Sequence, residues 1–260
     1  MPSKRLSYKG FTRLGLVLMS AMAVSLASAC TPVSSLSSSD GAAVPSPLSG
    51  QPNASGKAGS ASAALAVLAV RGRAPKTGYD RAAFGQAWAD VDRNGCDTRN
   101  DVLRRDLRPF VVKTGTKGCV ILSGTLHDPY SGTTIDFVRG VSTSSAVQID
   151  HVVPLSDAWQ KGAQQWSTSR RTAFANDPLN LLAVDGLSNQ RKSDGDAATW
   201  LPPDKAHRCP YAARQIAVKA RYRLWVTGAE RDALARILAT CPSQTLPVLA
   251  RADSGAAAGG

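Results

Sequence analysis

"QIDHVVPLSDAW", Gln148–Trp159, sets an acid and one of only three histidines side by side at the end of an apolar run. The β-prone residues Gln148–Val153 predict a short strand, and a second apolar run, Asn180–Val184, predicts another after the turn at Asp177-Pro178. Trp159, Trp166 and Phe174 lie between them at spacings that suit helical turns, and a helix is expected to start near Ser188. Such a strand–strand–helix unit carries Asp150 and His151 on its first strand, Asn180 at the head of its second, and Asn189 and Lys192 on its helix. Each residue type suits one task. A neutral imidazole takes a proton from water, a carboxylate and an amide oxygen are hard ligands for Mg²⁺, and a lysine meets phosphate. The set describes metal-assisted phosphodiester hydrolysis.

Upstream, "GCVILSGTLHDPYSGTTIDFVRG", residues 118–140, reads as a hairpin whose turn formers cluster at Asp128–Gly132. Phe84, Ala87 and Trp88 fall at helical spacing after Asp80. Thr98 with Asp101 resembles a capping box opening a short helix through Val102, Leu103 and Leu107. Downstream, Tyr211, Val218, Tyr222 and Trp225 line one helical face, with Arg214, Lys219, Arg221 and Arg223 assigned to a solvated one. Thr227 and Glu230 cap a further helix in which Leu234, Ile237, Leu238 and Cys241 share a buried face.

The chain begins as an exported protein does. Lys4, Arg5, Lys9 and Arg13 form a basic segment, Leu14–Leu26 an apolar one too short to span a bilayer comfortably, and Ala27-Ser28-Ala29 a cleavage site. Cys30 follows directly, as in a lipoprotein, although Ala27 stands where leucine is usual, so a lipid anchor through Cys30 and simple release both remain open. The expected organisation is a signal over 1–29, a flexible Ser/Gly/Ala/Pro-rich linker over 30–64, one folded domain over 65–245 and a disordered tail over 246–260, in a monomer. Apart from Cys30, four cysteines remain. Three connectivities are available, of which the sequence-local pairs Cys96–Cys119 and Cys209–Cys241 are preferred because each closes within one structural unit; a zinc site is the rival, but there is no C-x-x-C pair. The formal charge is +12, and without the signal 27 Lys+Arg still face 19 Asp+Glu, a surplus that favours polyanions such as nucleic acid.

The blocks "GTLHDPYSGT", "IDHVVPLSDAW" and "NDPLNLLAVDG", followed by Asn189, Lys192 and "DGDAATWLPP", resemble exported HNH (His-Me finger) endonucleases of actinobacteria akin to the GmrSD C-terminal domain. The "DH" pair and the spacing from Asn180 to Asn189 and Lys192 also resemble the HNH domain of RNA-guided CRISPR nucleases. The likeness runs from about Ala69 to Pro242. It implies an α+β fold with a ββα-metal core, a preceding hairpin and flanking helices, stapled by two disulfides. It further implies that His151 is the general base, that Asp150 and Asn189 bind Mg²⁺ or Mn²⁺, that Asn180 fixes the loop orienting His151, and that Lys192 contacts phosphate or steadies the helix. The substrate is expected to be nucleic acid, most simply DNA.

Other readings compete. A degenerate HNH fold, lipid-tethered, would bind polyanions without turnover. A serine hydrolase using His151 with Asp157 or Asp185 has no G-x-S-x-G to support it. His127 and His207 read as surface or hydrogen-bonded histidines, Asp128 and Asp136 as turn or near-metal acids, and Asp194 and Asp196 as caps after the metal helix.

Overall fold

The computed structural model describes residues 59–247. The signal, Cys30 and most of the linker lie outside them. Helical structure begins at α1, Ala61–Ala66, inside the stretch expected as linker, because Ala61 and Leu65 bury against the C-terminal helices. Leu246 packs there too, just past the expected end of the domain.

Asp80 caps a single 3₁₀ turn, Arg81–Phe84, where a longer helix through Trp88 was expected. Gly85 ends it, with φ of +80° and a Cβ position only 2.1 Å from the Thr172 hydroxyl, so no other residue fits without displacement. The chain then turns about Asn94, whose N–H donates to Asp90 and Asp92 (3.1 and 3.2 Å) and whose amide donates to Asp101 (3.2 Å). The spacing of Asp90, Asp92, Asn94, Gly95 and Asp101 is also that of a twelve-residue calcium loop. Asn94 and the Gly95 N–H supply donors to these carboxylates. Asp97, not Thr98, caps α2, Thr98–Asp106, by accepting from Asn100 N–H at 2.8 Å. Leu107 already belongs to β1, Leu107–Val112, an unexpected strand that joins the hairpin β2, Ile121–His127, and β3, Thr134–Val138, in an antiparallel sheet of order β1-β2-β3.

The second sheet is the pair β4, Val147–His151, and β5, Leu181–Asp185, antiparallel with Ile149 opposite Ala183 and His151 opposite Leu181. Both faces are covered. Val147, Ile149, Leu181 and Ala183 pack on α2 and the first sheet, while Leu182 and Val184 meet Tyr130 and Tyr211. Short helices α3, Leu155–Gln160, and α4, Thr168–Ala175, fill the connection, and α5, Gly186–Lys192, follows β5 directly. Gly186 permits that tight turn: a Cβ there would lie 2.1 Å from Ser145 O.

Helix α6, Arg208–Tyr222, and α7, Gly228–Ala239, complete the domain, the latter opened by the expected capping box of Thr227 and Glu230. Both preferred disulfides form, Cys96–Cys119 and Cys209–Cys241. Because the second ties the start of α6 to the turn after α7 across 32 residues, replacing Cys209 and Cys241 together by serine should lower stability by about 2–4 kcal/mol, read as a shift in the urea midpoint.

One expectation fails outright. Lys219, assigned to the solvated face, is fully buried, with its ammonium 3.1 Å from Asp157 and 2.9 Å from Glu230. Lys161, equally buried, contacts Asp157, Asp196 and Glu230 at 2.6–2.8 Å. Arg73 adds a third cation, so three bases meet three acids. Charge removed from water needs partners of opposite sign, and the cluster supplies them from α3, α6, α7 and the two flanking segments. Asp196, read as a cap, accepts from Ala198 N–H but is chiefly a member of this cluster.

Candidate active site

Asp150 and His151 are neighbours on a strand, so their side chains leave it on opposite faces. Asp150 points toward α5. Its carboxylate accepts from the Tyr130 hydroxyl at 2.5 Å and from Lys192 Nζ at 3.0 Å, while the same ammonium donates to His151 O at 2.9 Å. Burial pushes the Asp150 carboxyl above its usual range despite Lys192 and Tyr130, and pushes the Tyr130 phenol well up, keeping it a donor. Lys192, fully buried, therefore steadies α5 against β4.

Asn189, one turn before Lys192 on α5, meets Gln148, two residues before Asp150 on the same face of β4: its amide Nδ2 donates to Gln148 Oε1 at 2.8 Å. The fold thus pairs Asp150 with Lys192 and Asn189 with Gln148. In kind, a carboxylate and an amide oxygen suit a hard divalent cation, and Asn189 Oδ1 has no protein donor among the described residues. Both carboxylate oxygens of Asp150 are already engaged, one by Tyr130 and the other by Lys192. Among the described residues, no three acidic, histidine or cysteine side chains form a metal cage.

His151 faces the other way, toward α4 and the 3₁₀ turn. Its Nε2 lies 2.8 Å from Ala175 O, and since a carbonyl only accepts, that nitrogen carries the hydrogen and Nδ1 keeps its lone pair. Burial pulls the imidazole down to about 4 against the Ala175 hydrogen bond, with Arg81 and Lys192 pushing the same way as burial. The ring is neutral near pH 7 and able to accept a proton. Asn180 lies just before β5. Fully buried, it accepts from Val153 N–H at 2.8 Å, donates to Val153 O at 3.2 Å and accepts from Val152 N–H through its own carbonyl, clamping the chain just past His151.

Other acids and histidines have structural partners. Asp128 accepts from Ser131 and from Asp185 N–H, tying the hairpin turn to the start of α5, and Asp185 caps α5. Asp136 accepts from Thr125, and His127 pairs with Thr134 on the exposed hairpin. Asp157 belongs to the buried charge cluster and Asp194 pairs with Lys76. Three residues near the site were not read as site residues in the sequence. Tyr130 lay hidden among turn formers, and Arg81 and Trp88 looked like helix; all three reach the site only because distant segments pack together.

Residues 97–237 match the family of GmrSD restriction endonucleases, C-terminal domain. The chain belongs to this family. It is also 41% identical over 201 residues to an "uncharacterized secreted protein" of Arthroderma benhamiae, covering 76% of this chain and 93% of that one. His151, Asp150, Asn180, Asn189 and Lys192 all fall inside the part shared with the GmrSD C-terminal domains, whereas Arg81 and Trp88 precede it.

Proposed function

We propose that this GmrSD-family protein is an exported, metal-dependent endonuclease of the HNH (His-Me finger) type, with β4, β5 and α5 as its ββα-metal unit and His151 as general base. The observation that carries the reading is the His151 imidazole: neutral, oriented by Ala175 O, and left with one free nitrogen. In this reading Nδ1 takes the proton of a water attacking phosphorus, and Asn180 keeps the ring in place by clamping Val153. Asp150 and Asn189 would hold Mg²⁺ or Mn²⁺ on the α5 side of β4, where the ion would supply positive charge for the nucleic acid. With an ion in place, Lys192 would turn from Asp150 toward phosphate.

Export is supported by the two disulfides, the secreted relative and the N-terminal signal pattern. A lipid anchor on Cys30 remains part of the proposal. No helix of the described residues is long and apolar enough to cross a membrane. Nucleic acid as substrate is favoured by two hollows, about 590 and 400 Å³, that share Thr199 and Trp200. Lys205, Arg208 and Arg236 line the larger, and none of them is in an ion pair among the described residues. Trp200 also packs on Tyr130, the partner of Asp150. Cations beside an aromatic surface suit a phosphodiester strand.

Purified protein should degrade plasmid with Mg²⁺ and stop when EDTA is added. Asn189→Ala should need far more Mg²⁺ than the parent, and Asn180→Ala should lose less activity at saturating metal, because a displaced base is still sampled. DNA binding without cleavage under any metal would instead support the degenerate polyanion-binding reading.

A further inference from the structure

His151 lines a small cleft of about 40 Å³, room for a water molecule or two. Beyond His151 and Leu155, its walls come from other segments. One is the segment from Arg81 to Trp88, upstream of the stretch shared with the GmrSD domains, and another is Asn176 at the end of α4. Trp88 holds φ of +59°, a conformation costly for a bulky side chain, and its ring lies within 16° of parallel to the imidazole. Arg81 is exposed at the start of the 3₁₀ turn and makes no ion pair among the described residues. Asn176 is only 1% exposed; its amide donates to Thr172 O and Gln86 O, yet its Oδ1, equally buried, has no donor. A buried acceptor without a donor is costly, and a water can relieve it.

We propose that this cleft is the water and phosphate subsite of the nuclease: Arg81 binds the scissile phosphodiester across its mouth, and Asn176 Oδ1 and His151 Nδ1 together hold the attacking water. The inference rests on the nuclease reading above. The water donates one hydrogen to each acceptor, which leaves an oxygen lone pair for phosphorus. As the new oxygen–phosphorus bond forms, the proton passes to Nδ1, the bond to the departing oxygen breaks, and that oxygen is protonated from solvent. Arg81 and Asn176 then divide the work between binding and rate.

The test uses full-length protein and a short fluorescent DNA duplex. In a His151→Ala background, Arg81→Ala should weaken duplex binding about tenfold and lower the salt dependence by about one released ion, with Arg81→Lys restoring the ion count. With His151 intact, Arg81→Ala should raise KM about tenfold, the cost of one charge-assisted phosphate contact, while Asn176→Ala should lower kcat about tenfold with KM unchanged. Circular dichroism reports whether Asn176→Ala folds, and the exposed Arg81 keeps the proposal open to refutation if it does not. Unchanged salt dependence and KM in Arg81→Ala, with the parent cleaving and His151→Ala inactive, would overturn the subsite and leave the nuclease reading standing. A parent that binds but never cleaves, with the one-ion change at Arg81 intact, would overturn the nuclease reading and retain Arg81 as a phosphate contact.

Discussion

His151→Ala should lower the rate of DNA cleavage by a factor on the order of 10² to 10⁴ while leaving duplex binding close to that of the parent. The size follows from losing the only proton acceptor at the cleft whose ionisation state is right near pH 7. The imidazole is held neutral by burial, and its tautomer is set by the hydrogen bond to Ala175 O. Binding should survive because the cations lining the hollows around Trp200 lie elsewhere. Single-turnover cleavage of a short duplex, beside anisotropy of the same duplex, separates the two quantities. Parent-like cleavage by His151→Ala would remove the histidine from the chemistry.

Lys161→Met should destabilise the fold by about 3–5 kcal/mol, the cost of leaving buried carboxylates without their cation. Lys161 touches three acids, and among the described residues no other cation is in salt-bridge contact with both Asp196 and Glu230. Lys76→Met, at an exposed pair with Asp194, should cost less than about 1 kcal/mol and serves as the control. Urea denaturation of both variants decides the comparison. The same cluster sets an acid limit. Burial alone would raise the carboxyl of Asp196, but Lys161 and Arg73 override it and hold Asp196 at about 2; Lys219 and Lys161 likewise hold Asp157 below its ordinary value. Since the folded pKa lies below the unfolded value of 3.8, this stability is present above that pH and is lost as pH falls toward about 2. A urea midpoint that holds from neutral pH to about 4 and collapses below it is the expected profile.

Some elements could be read from the sequence because their determinants are local. β4 is a β-prone segment and β5 an apolar run after a turn, the Thr227–Glu230 capping box lies within four residues, and each disulfide joins cysteines that are consecutive in order along the folded domain. The family resemblance pointed to Asp150 and His151 on β4, to Asn180 just before β5, and to Asn189 and Lys192 on α5; Asn180 bonds the chain at Val153, two residues past His151.

The rest depended on contacts between distant segments. Periodicity assigned Lys219 to water because a basic residue on an amphipathic helix defaults there. Its burial follows from Asp157, 62 residues away, and from Glu230 on the next helix, neither visible in the helix's own pattern. Phe84, Ala87 and Trp88 fit a helical spacing, but Gly85, close against Thr172, turns the chain and brings Trp88 and Arg81 to the cleft at His151. Asp150 could be recognised as an acid beside a histidine, but its partners Tyr130 and Lys192 came from a hairpin turn and a helix that only the packed fold brings to the same strand. Spacing specifies which residues share a face; the partner each buried charge finds depends on which segments the core draws together, because desolvated charge is stable only where an opposite one has been brought to meet it.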